Sequence, residues 1–275
     1  MTAKESGPAY ALGHADAEHE RLIRQAAHLA PCTERFFRQA GIGPGQRVVD
    51  LGSGVGDVAM LAARLVGPSG EVVGIERDAR SVARARTRVA EAGLHNVSFT
   101  EADVSEFTCD KPFDAAIGRF ILQFLPAPAD TLRALLRLIR PGGVLAFQEP
   151  SWAPLFPLSS HLPLWSACAK LTHQVLEHSG ANTEMGPALY RLFQEAGLSA
   201  PYLLMEIPLG RDPESARWIY ELFYTLLPQV QRLNLSTAGL GDLGTLAVRM
   251  QAEVRESNTV VPCFALVGAW SFRQR

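Results

Sequence analysis

Between Val48 and Asp57 the chain reads Val48-Val49-Asp50-Leu51-Gly52-Ser53-Gly54-Val55-Gly56-Asp57, and no other stretch restricts the fold so tightly. Two β-branched residues lead into an acid, glycines follow at alternate positions, and a helical apolar pattern starts at Val58. That order predicts a strand, a turn free of side-chain bulk, and a helix. Glycine has no Cβ and tolerates positive φ, so a ligand can approach such a turn closely. The helix start behind it offers unpaired N–H groups and a field that favours an anion.

Upstream, Asp16 is placed to cap a helix with Leu22, Ile23, Ala26, Ala27 and Ala30 on one face. Pro31 is expected to interrupt it before a second short helix at 33–40. Downstream, strands predicted at 47–51, 71–75, 96–100, 113–118 and 144–148 alternate with helices at 58–66, 79–92 and 129–140. Such alternation with short loops predicts an α/β fold, a doubly wound and mostly parallel sheet. After Glu149-Pro150 the pattern changes. Residues 152–163 read as an aromatic, proline-rich loop, and helices are expected at 164–178, 187–196, 213–227 and 242–256. Strands are expected at 202–208 and, as one long final strand, at 259–272. With 275 residues, 47% hydrophobic and 20% charged, the chain reads as one domain. Its parts are an N-terminal helical cap (1–44), a ligand-binding core (45–149), a late sheet with helical insertions (150–258) and the final strand (259–275).

A net charge of −2 gives no general attraction to nucleic acid or to anionic membrane. No run of apolar residues is long enough to span a bilayer, and the first residues lack the basic-then-apolar layout of a signal peptide, so a cytoplasmic location is expected. Cys32, Cys109, Cys168 and Cys263 lie far apart without a CxxC pair, which argues against a disulfide framework or a zinc site. His173 and His178, five apart on a predicted helix, face different ways and make a poor metal pair. No metal is expected.

A dinucleotide fold would place a third glycine at position 57, where this chain has Asp57. A Walker loop would need a following Gly-Lys-Ser/Thr, which is missing. The spacing Asp50-x-Gly52-x-Gly54-x-Gly56 instead resembles the first motif of the class I S-adenosylmethionine-dependent methyltransferases. The resemblance continues in order through Glu76, Ala102-Asp103-Val104, Pro112–Ile117 and Leu138–Gly143, covering roughly residues 45–149. It implies the family's Rossmann-like, seven-stranded sheet and S-adenosylmethionine as cofactor. It also implies that Glu76 holds the ribose hydroxyls, with Arg77 beside it, and that Asp103 meets the adenine amine with Ala102 and Val104 against the ring. A carboxylate suits a vicinal diol, since it has two acceptor oxygens. Glu76 also reads as a solvated strand end, and Asp103 as a cap for a helix at 104–107.

Gly52, Ser53, Gly54 and Gly56 would form the cofactor's turn, with Asp50 holding it from behind through backbone N–H bonds. The methionine carboxylate then needs a partner, for which Tyr10, Arg21 and Gln25 are the candidates. In an open α/β sheet the transferred methyl points to the carboxyl ends of the fourth and fifth strands, near Arg119 and Glu149. Glu149, His161 and His173 are candidate general bases, needed only for an acceptor that arrives protonated. Trp152, Trp218, Tyr220 and Tyr224 are candidates for an apolar lid over the acceptor.

Residues 118–121, Gly-Arg-Phe-Ile, lack the Asn/Asp-Pro-Pro-aromatic motif of enzymes acting on amides of adenine or glutamine. The core is most similar to the quinone-biosynthesis C-methyltransferase branch, without that branch's N-terminal signatures. The expected acceptor is therefore the N or O of a small, partly apolar metabolite, with C-methylation of an activated ring or enolate as the alternative. A nicotinamide oxidoreductase, disfavoured by Asp57, and a non-catalytic cofactor-binding module are the readings from other classes. A homodimer is the expectation from general frequency alone.

Overall fold

The computed structural model describes residues 16–274; Tyr10 lies outside them. Helix α1 (Asp16–Gln39) leads into strand β1 (Arg47–Leu51), followed by α2 (Asp57–Val66), β2 (Glu71–Glu76), α3 (Ala79–Glu91), β3 (Val97–Glu101) and β4 (Phe113–Arg119). Then come α4 (Pro128–Leu138), β5 (Ile139–Ser151), the short α5 (Leu155–Leu158), α6 (Pro163–His178) and α7 (Met185–Glu195). The chain finishes with β6 (Tyr202–Glu206), β7 (Leu209–Gly210), α8 (Arg217–Arg232), α9 (Leu246–Ser257), β8 (Val261–Pro262) and β9 (Ala265–Phe272).

Seven strands form one sheet in the order β3-β2-β1-β4-β5-β9-β6. The first five are parallel, while β9 runs antiparallel to both β5 and β6. Three apolar clusters hold the molecule together. Phe36, Phe37, Ala59, Val66, Val82 and Ile117 pack α1, α2 and α3 onto one face of the sheet. Leu132, Leu135, Leu189, Phe193, Phe147 and Ala269 pack α4 and α7 onto the other. A third cluster belongs to the late segments: Trp165, Cys168, Ile219, Phe223, Leu226 and Met250 join α6, α8 and α9, with Leu29 and Cys32 of α1 underneath. This is the doubly wound sheet expected from the alternation.

Several boundaries differ, each for a physical reason. Helix α1 runs unbroken through Pro31. Pro31 is exposed, while Leu29, Cys32, Thr33, Phe36 and Phe37 on either side of it are buried. That burial outweighs the roughly 3 kcal/mol cost of an internal proline. Helix α8 likewise continues through exposed Pro228. Strand β5 runs three residues past Gln148 although it contains Pro150. The Gln148 carbonyl accepts from Phe120 N on the β4 side, so by alternation Pro150 also turns its nitrogen to that side, where β4 has ended and no partner lacks a donor. The expected long final strand is two pieces. Val261 pairs with Gly210 in a separate ribbon, and Cys263 and Phe264 leave the ladder before β9 begins. No helix follows Asp103, because its side chain and carbonyl close a tight turn instead: Ser105 N donates to Oδ1 at 2.8 Å, and Glu106 N and Phe107 N donate to the carbonyl at 3.0 and 3.1 Å.

Candidate active site

The glycine turn leaves β1 at Leu51 with Gly52, Gly54 and Gly56 all at positive φ (62°, 51° and 90°). Two of them are also required by packing. A Cβ on Gly52 would lie 2.5 Å from Ile121 Cδ1, and one on Gly56 would lie 2.9 Å from Phe99 Cζ. A Cβ on Gly54 would meet nothing within 4 Å, so this residue faces open space. Asp57, in the position a dinucleotide fold gives to glycine, turns its carboxylate away to Arg88 of α3.

Beside the turn stands a cleft of about 260 Å³, bounded by Leu51, Gly52, Glu76, Ala102, Asp103 and Val104 with Ile121 at its inner wall. Glu76 closes the end of β2. Its Oε2 accepts from Gly54 N at 2.9 Å, and its Oε1 from Arg77 N and Asp78 N at 2.7 and 2.9 Å. Arg77 also lines the cleft, exposed, with its Nε 3.6 Å from Asp103 Oδ2.

Beneath the turn a polar patch is buried at the end of β1 and β4. Asp50 is 1% exposed, and its Oδ2 has no hydrogen-bond partner among the described residues; the same holds for Ser53 Oγ. Burial pushes the Asp50 carboxyl well above its usual range, against the pull of Arg119 and of the Ala59 backbone N–H. Arg119 Nη1 donates to Thr33 Oγ1 at 2.9 Å, and Thr33 Oγ1 reaches Gln148 Oε1 at 2.8 Å. Burial lowers the Arg119 pKa from its usual value while Asp57 and Asp50 raise it. Arg21 and Gln25 are engaged with each other and with Glu18: the Arg21 guanidinium is clasped by both oxygens of Glu18 at 2.6 Å and also donates to Gln25.

Glu149 is placed differently from a general base. It is fully buried, and Oε1 accepts from Ile121 N and Leu122 N at 3.0 and 2.8 Å while Oε2 accepts from Gln123 N at 3.3 Å. Burial pushes its carboxyl up to about 8 against those three donors. Three of its roughly four acceptor positions are therefore used to hold the turn after β4. That turn begins with Phe120 at φ 57°, a conformation rare for a bulky side chain and concentrated at functional sites. His161 is exposed, with Nε2 2.8 Å from Thr259 Oγ1. His173 Nε2 lies 2.9 Å from Thr183 Oγ1, and its ring rests 5.4 Å from Trp152 and 5.2 Å from Phe156. Burial lowers the His173 pKa, opposed by Glu177 and Glu184.

The aromatic candidates divide. Trp152 stacks on Phe264 at 5.4 Å, Phe264 meets Phe120 at 5.3 Å, and Trp218 packs edge-on against Phe264 at 5.4 Å. These rings form one group beside the ends of β4 and β5. Tyr220 and Tyr224 stand outside it, 5.9 Å apart, and Tyr224 is 60% exposed. Thr33, Arg88 and Phe264 carry no site reading from the sequence, and Gln148 only a place at the end of the fifth strand. Gln148 carries a signal, as a polar residue ending the apolar run Val144–Phe147; Phe264 sits in an apolar stretch that shows none, and Thr33 follows Pro31 and Cys32 with nothing to mark it.

The cleft, the orphaned Asp50 oxygen and the open space over Gly54 fit a nucleoside carrying an amino-acid tail. The family model described as a methyltransferase domain matches residues 42–197, more than half of the chain. The chain belongs to the class I S-adenosylmethionine-dependent methyltransferases. Among curated relatives, the ubiquinone/menaquinone biosynthesis C-methyltransferase UbiE of Pseudomonas paraeruginosa is 37% identical over 117 residues, which is 41% of this chain and 46% of that protein. The chain thus spans about half the length of the curated relatives it matches. A crystal structure from Bacillus halodurans, titled a putative methyltransferase, superposes with a TM-score of 0.57 at 14% identity, over 88% of this chain and 99% of the other. The Haemonchus contortus phosphoethanolamine N-methyltransferase 2, solved with S-adenosylhomocysteine and phosphomonomethylethanolamine, superposes at 0.54 and 15% identity, over 89% and 53%. At those identities the two structures share the fold with this methyltransferase. No helix among its described residues is long and apolar enough to cross a membrane.

Proposed function

We propose that the protein transfers a methyl group from S-adenosylmethionine to the N or O of a small, partly apolar metabolite in the cytoplasm. The observation that carries this reading is the aromatic group Phe120–Phe264–Trp152–Trp218 beside the ends of β4 and β5, where an open α/β sheet binds its ligand. The cofactor supplies the electrophilic methyl of a sulfonium. Gly52, Ser53, Gly54 and Gly56 let its backbone-facing side approach, Glu76 holds the ribose, and Ala102, Asp103 and Val104 take the adenine. Asp50 accepts from the methionine ammonium. The chain's remaining work is alignment of donor and acceptor at about 3–3.5 Å and exclusion of water. Residues 150–258 act as the lid, with Trp152 and Trp218 against the acceptor and Tyr220 and Tyr224 at its mouth.

Neither Glu149, held by three backbone donors, nor exposed His161 is placed to take a proton there. His173, beside Trp152, is the base in reach of the aromatic group when an acceptor needs one. The similarity to a quinone-biosynthesis C-methyltransferase supports a second reading, methylation of an activated ring carbon or enolate. Turnover of a methyl-labelled donor against amines, phenols and hydroquinones tests both, with the bond formed read by NMR. Labelled product from an amine or phenol supports the first. Product from carbon acids alone overturns it, and no product from any class leaves a cofactor-binding module.

A further inference from the structure

We infer that Glu184 is a positioning residue for methyl transfer, holding the end of β5 so that Trp152 is fixed against the acceptor. The role rests on the reading that places the acceptor at the Phe120–Phe264–Trp152–Trp218 group. Glu184 directly precedes α7, yet its side chain does not cap that helix. Its carboxylate is turned to the end of β5 instead. Oε1 accepts from Trp152 N and Ala153 N at 2.8 and 2.7 Å, and Oε2 accepts from Ser151 Oγ at 2.6 Å. Donors on three consecutive residues thus converge on one side chain, and bonds to an ionised acceptor are roughly twice as strong as neutral ones. The start of α7 favours the negative charge that accepts them.

The two residues before Glu184 tie the same connection to the rest of the acceptor end. Asn182 N donates to the Gln123 carbonyl at 2.9 Å, in the turn after β4 that Phe120 begins. The buried Thr183 accepts from Trp152 N at its carbonyl at 3.3 Å, and its hydroxyl lies 2.9 Å from His173 Nε2. Glu184 N closes the connection by donating to Asn182 Oδ1 at 3.1 Å. Beyond it, α7 starts in close contact with the sheet: a Cβ on Gly186 would lie 2.6 Å from Val267 Cγ2 and 3.0 Å from the Pro150 carbonyl oxygen. Residues 182–184 therefore set the spacing between the β4 turn and the β5 end. Methyl transfer is sensitive to that spacing, since a misplacement of about 1 Å can cost about 100-fold in rate.

Two readouts test this, one of them without any acceptor. In Glu184→Ala the Ala153 amide should exchange its hydrogen about tenfold faster by NMR, the scale of one lost hydrogen bond to a charged group. Affinity for S-adenosylhomocysteine should stay within about twofold, because the donor half is separate. With a methyl-labelled donor and tyramine, 4-aminophenol or hydroquinone as acceptor, kcat/KM should fall about tenfold, mostly through a higher acceptor KM. Glu184→Gln should restore most of both, since its amide oxygen can accept the two backbone N–H groups while its NH2 donates to Ser151 Oγ. Acceptor kinetics unchanged in Glu184→Ala overturn the role. S-adenosylhomocysteine binding weakened in step with them overturns it too, by making Glu184 a general support of the fold. Where Glu184→Ala does not fold, Ser151→Ala removes one of the three donors and should raise the acceptor KM about twofold; an unchanged value then overturns the role. A wild type that binds S-adenosylhomocysteine yet methylates none of the three probes overturns the acceptor reading and this role with it.

Discussion

Arg88 grips Asp57 across the glycine turn: its Nη2 lies 2.7 Å from Asp57 Oδ1, while Nη1 donates to the Val55 carbonyl at 2.6 Å. Both side chains are largely buried, at 14% and 16% exposure. The residue that breaks the dinucleotide pattern is thus a fastening for the turn, and its charge is spent on α3. Arg88→Ala should lower stability by about 1–3 kcal/mol, because it leaves Asp57 unpaired in a desolvated place. Urea unfolding measures this; a change below half a kilocalorie would mean the pair carries no load.

Glu76→Ala should weaken S-adenosylhomocysteine binding by about 1–3 kcal/mol, the scale of a hydrogen bond to a charged group. The same substitution frees Gly54 N and the Arg77 and Asp78 amides, so part of the loss will be looser loop geometry. Unchanged affinity by calorimetry would remove Glu76 from the ribose site.

Gly54→Val should abolish cofactor binding while the protein still folds. The new side chain enters open space, so no packed atom is displaced, but φ 51° strains a β-branched residue by about 1–3 kcal/mol. A melting curve that stays cooperative together with lost binding is the expected result. Retained binding would show that the ligand passes elsewhere.

Glu149 should make stability fall as pH rises. Its native carboxyl is pushed up to about 8 from the ordinary 4.5, so between those values the native state keeps a proton the unfolded chain has released. This contribution is whole below the unfolded pKa and is lost on the way up to the folded one, at no more than about 1.4 kcal/mol per pH unit. Glu149→Gln cannot titrate, so the stability of the wild type relative to this variant should shrink from about pH 5 to about pH 8. A constant difference would mean Glu149 is ionised throughout.

Tyr224→Ala separates a lid role from packing. At 60% exposure its removal should change stability by less than about 0.5 kcal/mol, whereas a lid contact would raise KM for the acceptor severalfold. Trp152→Ala, from a side chain 2% exposed, should instead cost about 3–5 kcal/mol of stability. An unaltered KM in Tyr224→Ala would take this residue out of the acceptor site.

The parallel half of the sheet was legible because its signals are local. Strands β1 and β2 are short apolar runs closed by Gly52 and Glu76, and the turns carry their own punctuation, as at Gly67–Gly70. The breaks were harder to read. Pro31 and Pro228 read locally as helix ends, and burial of residues that follow them in the same helices, Phe36 and Val230, against the rest of the fold keeps those helices whole. Cys263 and Phe264 interrupt an apolar run that continues on both sides, so periodicity cannot mark where the ladder stops. At the site, Glu76 and the turn lie 22 residues apart and share one motif spacing. The Thr33–Arg119 contact joins residues 86 apart, on a helix and a strand with no common pattern. Glu149 looked like a free acid because its three donors come from a turn that only the fold brings beneath it.

Pro150 makes the step between β4 and β5 permanent. Having no N–H to give on that side, β5 cannot recruit a longer β4, whatever sequence follows Arg119. The segment from Phe120 onward is thus released from the ladder's two-residue rhythm, and Glu149 rather than a strand partner sets its path.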